Sequence, residues 1–116
     1  MASNDRADRP ARLSAAHRVV DGMRVATLHG EIDYDETDIL RQALLPEGQP
    51  VLPVVADMSG VTFLDSSGIN VLLRISQQVS QLRIAAPTES VQRVLTLVGA
   101  DTVIDCHPTL EDALNA

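Results

Sequence analysis

The sequence predicts an α/β domain built on a mixed, mostly parallel β-sheet. Apolar segments of strand length alternate with segments of helical period along most of the chain. The run from Val51 to Ala56 is nearly continuous in apolar residues, as suits a central strand buried on both faces. Asp21-Gly22 lies between two apolar segments and is a hairpin signal, so the chain opens with one antiparallel strand pair.

Each element follows from local pattern. Residues 1–14 mix Asp, Arg and Pro and are expected to form a flexible N-terminal segment, leaving 15–116 as the domain. His17 to Val20 is a short strand, and Met23 to Ile32 is its hairpin partner. Asp33 or Asp35 is placed to cap a helix whose inward face is Ile39, Leu40, Ala43 and Leu44. Pro46-Glu47-Gly48-Gln49-Pro50 stops that helix. Pro53 opposes ladder pairing, so the central strand should start at Val54 and end near Asp57. A loop then leads to a helix beginning around Gly68, with Ile69, Leu72, Leu73, Val79 and Leu82 inward and Asn70, Arg74, Gln77, Gln78 and Gln81 outward. Leu82 to Ala86 is a strand ended by Pro87. Thr88 to Leu97 is a helix with Thr88 as its cap, Val91, Val94, Leu95 and Val98 inward, and Gly99 as its stop. Thr102 to Ile104 is the last strand, and Pro108 to Leu114 a short terminal helix. The order is β-β-α-β-α-β-α-β-α. In sheets of this type the loops after the strand C-termini carry function. Asp33, Asp57 and the segment 57–68 fall there.

Composition removes several function classes. The chain has 116 residues, 45% of them hydrophobic, which suits one domain with a real core. Aromatic residues make up only 2%, so stacking on bases or sugars has almost no residues available. The formal net charge is −7, and every basic residue is an arginine, scattered from Arg6 to Arg93 without a basic block. Such a chain repels phosphate backbones and anionic membranes, so neither direct nucleic-acid binding nor membrane binding is expected. No segment approaches the ~18 apolar residues of a membrane helix. A signal-peptide core is missing from the first ten residues, and a cytoplasmic location is expected. Cys106 is the single cysteine and has no intrachain partner for a disulfide.

Asp65-Ser66-Ser67-Gly68 is the first candidate site. It reads as a helix N-cap, because Asp and Ser side chains accept bonds from free backbone N–H groups. It also reads as a modification site. A phosphoryl group there would add about two negative charges beside Asp65, and a partner surface fitted to a neutral hydroxyl would be repelled. Catalysis by either serine is not expected. The stretch lacks the G-x-S-x-G elbow, and His17, His29 and His107 sit in no recognisable context. Asp57 at a strand end suggests a phosphoacceptor, but the chain has no lysine and no early acidic pair to support one. No metal spacing and no phosphate-binding glycine loop occur, so neither a metal nor another cofactor is expected. Glu31 and Asp33, two apart on a strand, share a face and read first as a solvated strand end.

L-H-G-E-I-D at 28–33 and D-M-S-G-V-T-F-L-D-S-S-G-I at 57–69, taken together, resemble the STAS domain, and specifically the bacterial anti-sigma factor antagonists. The resemblance runs from about His17 to the end. It implies a binding protein rather than an enzyme. The unphosphorylated form would bind an anti-sigma factor that is also a serine kinase, and the sigma factor would be released. The first Ser after the Asp, here Ser66, would be phosphorylated, and a separate serine phosphatase would reverse this. Gly30, Glu31, Asp33, Asp65, Ser67 and Gly68 would map near the partner surface. The family often has D-S-S-G-L-G; this chain has Asn70 at the last position, a larger side chain on the first turn of the helix that bears on partner choice. Other STAS domains regulate or scaffold transporters, lipid-export ATPases or stress-sensing assemblies, and that is the alternative function.

Overall fold

The computed structural model describes residues 11–116. The segment 1–10, which holds most of the expected flexible N-terminus, lies outside the described residues. Among the described residues, five strands form one sheet in the order β1-β2-β3-β4-β5. They are β1 (Leu13–Val20), β2 (Met23–Ile32), β3 (Val54–Leu64), β4 (Leu82–Ala85) and β5 (Asp105–His107). Four α-helices follow strands 2 to 5: α1 (Thr37–Leu44), α2 (Ser66–Ser76), α3 (Glu89–Leu97) and α4 (Leu110–Asn115). β1 and β2 are antiparallel, and the other pairings are parallel.

The hairpin turns on Asp21 and Gly22, both at positive φ (52° and 78°), with Val20 opposite Met23. Two left-handed central residues make the tight turn that matches strand twist. Strand order then advances one position at a time. Right-handed crossovers taken in one direction put every crossover helix on the same face. Accordingly Leu40 and Leu44 of α1, Ile69, Leu72 and Ile75 of α2, and Val91 and Leu95 of α3 share one core with Ala26, Leu28, Val54, Ala56, Met58 and Ile84. Among the described residues, α4 is the helix that covers the other face. There Val55, Ala85 and Ala113 are fully buried, with Met23, Leu110 and Leu114 around them. Val54 and Val55 thus feed opposite layers, as strand alternation requires. Arg83 pins α4 to the sheet. Its guanidinium donates to the Ala113 carbonyl at 2.8 Å and to Gln81 Oε1 at 2.7 Å, placing a cation at the helix C-terminus.

Several boundaries differ from the sequence reading. β1 begins at Leu13, which is 2% exposed, inside the segment expected to be loose. β3 starts at Val54 as expected but runs past Asp57 to Leu64. The segment Asp57-Met58-Ser59, with its two polar residues, reads as a loop. It is instead a register irregularity in the β2–β3 pairing, where Asp57 Oδ1 accepts from the Ser59 N–H at 3.0 Å. α2 begins at Ser66 and stops at Ser76, so Val79 and Leu82 are not on its inward face. Val79 is buried from the following turn and Leu82 from β4. Thr88 stands at the N-cap of α3 but makes no capping bond; its hydroxyl donates to the Val61 carbonyl at 2.8 Å. Val98 is 55% exposed rather than inward. The last strand is Asp105–His107, because residues Ala100–Thr102 form a 3₁₀ turn closed by Thr102 Oγ1 donating to Gly99 O at 2.6 Å.

Candidate functional site

The C-terminal ends of β2 and β3 lie side by side and carry both sequence motifs. Ile32 pairs with Leu64, and the Asp65 N–H donates to Ile32 O at 3.1 Å, so the two motifs join directly.

Asp65 is extended (φ −106°, ψ −175°) and caps α2 alone. Its Oδ1 accepts from the N–H groups of Ser67 at 2.9 Å and Gly68 at 3.3 Å. The expectation that the serines share the capping is corrected: one carboxylate oxygen takes both bonds. Ser66 is therefore released from capping. It is exposed at the first helical position, and its hydroxyl has no hydrogen-bond partner among the described residues. Ser67 is half-buried and points elsewhere. With Tyr34, Asn70, Arg41 and Arg74 it lines a polar groove of about 390 Å³ between α1 and α2. Asn70 is exposed on the rim of that groove, one turn beyond Ser67.

Gly68 is buried. A Cβ there would stand 2.5 Å from Leu64 Cδ1 and 2.7 Å from Ile32 Cγ2. Its bare backbone lets the first turn of α2 settle on the strand ends, so Gly68 places the site without offering a surface. Gly30, which is half-exposed, shapes the backbone of the other motif. Its φ is +115°, and a Cβ would lie 1.9 Å from the Arg12 carbonyl oxygen. Only glycine accepts both that dihedral and that approach.

Glu31 and Asp33 are not a bare strand end. Arg12 bridges them, with one guanidinium nitrogen 3.5 Å from Glu31 Oε1 and the other paired with Asp33 Oδ2. The Arg12 carbonyl also accepts the Glu31 N–H at 2.9 Å. Asp33 Oδ1 accepts from the Asp35 N–H at 3.1 Å and so caps the 3₁₀ turn Tyr34–Glu36 that leads into α1. Arg12 was missed in the sequence because its signal, one cation in a polar segment, has no spacing relation to residues 31 and 33. The aromatic residues were also missed. The chain has one Tyr, one Phe and no Trp. Tyr34, 73% exposed, directly follows the first motif, and Phe63, 47% exposed, lies within the second, paired with Glu31. A chain with two aromatics that keeps both out of its core and beside one edge presents anchors of the kind found at protein interfaces.

Two of the three histidines serve elsewhere, while His107 ends β5: His17 Nδ1 lies 3.4 Å from Arg24 Nη1, and the His29 ring occupies the space above Gly60. Neither shares a bond with Ser66 or Ser67. Among the described residues no group of three or more His, Cys, Asp or Glu is arranged to hold a metal, and no helix is long and apolar enough to cross a membrane. Cys106 is half-buried on β5, and burial, then Asp101 and Asp105, raise its thiol pKa.

Comparison with known proteins agrees with this geometry. The STAS domain family model matches residues 14–113. The anti-sigma-F factor antagonist RsfB of Mycobacterium tuberculosis is 31% identical over 101 residues, covering 81% of this chain and 80% of that protein. The crystal structure of an anti-sigma factor antagonist from Mycobacterium paratuberculosis superposes with a TM-score of 0.77 at 28% identity, over 89% of this chain and 92% of that one. The murine anion transporter Slc26a9 contains the same fold, with a TM-score of 0.68 at 19% identity over 89% of this chain and 21% of that one. The antiparallel entry hairpin, the parallel run of strands and the Asp-Ser-Ser-Gly helix start therefore have a common explanation: this chain belongs to the STAS domain family, in its anti-sigma factor antagonist group.

Proposed function

We propose that this chain is an anti-sigma factor antagonist whose unphosphorylated form binds an anti-sigma factor serine kinase and so frees a sigma factor, and that phosphorylation of Ser66 ends the binding. The similarity to RsfB supports the antagonist role. One observation supports the switch: Asp65 already occupies the N–H groups of Ser67 and Gly68. A helix N-terminus ordinarily welcomes a phosphate through such groups. Here they are taken, so a phosphate on Ser66 gains little internal compensation. Arg12 is engaged by Glu31 and Asp33, and Arg41 by Asp38 at 2.7 Å. About two added negative charges then face outward beside Asp65, and a docked partner meets them directly. The switch needs no refolding. A phosphate on Ser67 would instead enter the groove lined by Arg41 and Arg74.

In this reading Tyr34 and Phe63 anchor the partner, while Glu31, Asp33, Ser67 and Asn70 form the polar surround. Asp65, Gly30 and Gly68 hold the surface in shape. The protein works by binding, not by turnover. A separate serine phosphatase restores the binding form, and all of these partners meet in the cytoplasm. The alternative, a regulatory or scaffolding subunit of a transporter, lipid-export ATPase or stress-sensing assembly, draws on the likeness of fold to the transporter domain.

Calorimetry with the anti-sigma kinase tests the proposal. Ser66→Ala is expected to bind like the parent, and Ser66→Asp at least tenfold more weakly, a difference of about 1.4 kcal/mol. Equal affinities for the parent and Ser66→Asp would contradict the electrostatic switch. A folded parent that binds no anti-sigma factor would move the reading to the transporter or scaffold class.

A further inference from the structure

The two edges of the sheet are unlike. β5 is an edge of three residues, followed at once by Pro108. That is the usual protection of an edge. β1 is an edge of eight residues with no proline, no lysine and an uninterrupted register against β2. Every residue from Ser14 to Val19 is exposed.

The register says which backbone groups are free. Val20 and Met23 flank a two-residue turn and so exchange both backbone bonds. Bonded and non-bonded pairs then alternate along the hairpin. The N–H and C=O groups of Ser14, Ala16 and Arg18 face β2, whereas those of Ala15, His17 and Val19 face out from the sheet. Two observations agree with this phase: the Glu31 N–H donates to Arg12 O at 2.9 Å, and the Arg24 N–H, opposite Val19, turns away to Pro53 O at 2.8 Å.

We propose that β1 pairs with β1 of a second copy, antiparallel about a two-fold axis at Ala16, joining two five-stranded sheets into one. In this register Ala15 bonds with His17 of the other copy, Leu13 stands opposite Val19, and Arg18 stands opposite Ser14. Ala16 faces its own copy, where two methyl groups meet without obstruction. The strand itself carries no carboxylate, although the whole chain is at −7, and Asp38 of α1, which borders Ala15 and His17, is paired with Arg41. Pairing across an exposed edge satisfies outward donors and acceptors that are self-complementary under a two-fold. The remaining long-range repulsion between two acidic chains is screened by salt, so association strengthens as salt rises.

Sedimentation equilibrium of the full chain over a broad concentration range, at low and high salt, tests the pairing. The mass is expected to climb from monomer toward twice that value, and at lower concentration in high salt. Ala15→Pro removes only an outward N–H and should stay monomeric with unchanged circular dichroism. Should that variant unfold, Ala16→Glu, an exposed change that sets two carboxylates on the axis, is expected to give the same loss of dimer. Ala16→Cys in a Cys106→Ser background should form a disulfide dimer on mild oxidation, because residues opposed in a non-bonded antiparallel pair lie within disulfide reach. A monomer mass at every concentration and salt would overturn the proposal, as would a dimer unaffected by Ala16→Glu. A parent that dimerises while Ala16→Cys fails to cross-link would overturn the register.

Discussion

The two halves of the candidate site, at the C-terminal ends of β2 and β3, are held by different means. The Asp65–Gly68 half rests on a carboxylate cap and on a buried glycine wedged between Leu64 and Ile32. The Gly30–Asp33 half rests on Arg12, which crosses Gly30 with its backbone and reaches Glu31 and Asp33 with its guanidinium. The helix start is thus fixed by short-range bonds and packing, and its geometry should hardly notice salt. The strand half combines a backbone contact of that kind with an exposed ion pair. Substitutions can separate these contributions.

Gly30→Ala has the largest expected effect. It adds a methyl group onto the Arg12 carbonyl at a dihedral that L residues rarely adopt, and either the turn or β1 must move. The expected loss is about 3 kcal/mol, from strain and overpacking together, read by urea unfolding. A loss below about 1 kcal/mol, the typical cost of a point substitution, would mean that β1 is not held there. Gly68→Val comes next. The atoms it would strike are side-chain methyls that can yield, so the expected loss is about 2 kcal/mol, with partner affinity falling as the helix start is displaced. Asp65→Ala removes the cap that serves two N–H groups and should cost about 1 kcal/mol. Asp65→Asn should recover most of it, which a charge effect alone would not allow. Arg12→Ala is the smallest. Its ion pair is half exposed, so the loss should be about 0.5 kcal/mol at low salt and should vanish in about 1 M salt, where the Debye length is a few ångströms. A loss equal in low and high salt would show that the side chain acts through packing instead.

Most of the architecture was readable in the sequence because its signals are local. The turn at Asp21-Gly22, the strand start after Pro53 and the stop at Gly99 each depend on the backbone freedom of the residues present. The errors came where a distant group satisfied a local need. Thr88 looks like a cap, yet its hydroxyl is drawn to a carbonyl of β3, which runs on beyond its pairing with β4. Asp57-Met58-Ser59 looks like a loop because a polar pair there interrupts the apolar run; β2 on one side keeps it extended. The spacing of Asp65 and the two serines identified the helix start but not the division of labour, which depends on which oxygen reaches the N–H groups. Arg12 was out of reach for the same reason as the two aromatics. Its role is set by β1 folding back onto β2, and nothing within its own segment encodes that.

The most direct test of the central claim compares Ser66 with Ser67. The folded chain is incubated with ATP and the anti-sigma kinase that it binds, and the site of phosphate is read by mass spectrometry. Phosphate is expected on Ser66, where the hydroxyl is exposed and unbonded, and none on Ser67. Phosphate on Ser67 would contradict that claim, as would a folded, kinase-bound chain that takes up no phosphate at either serine.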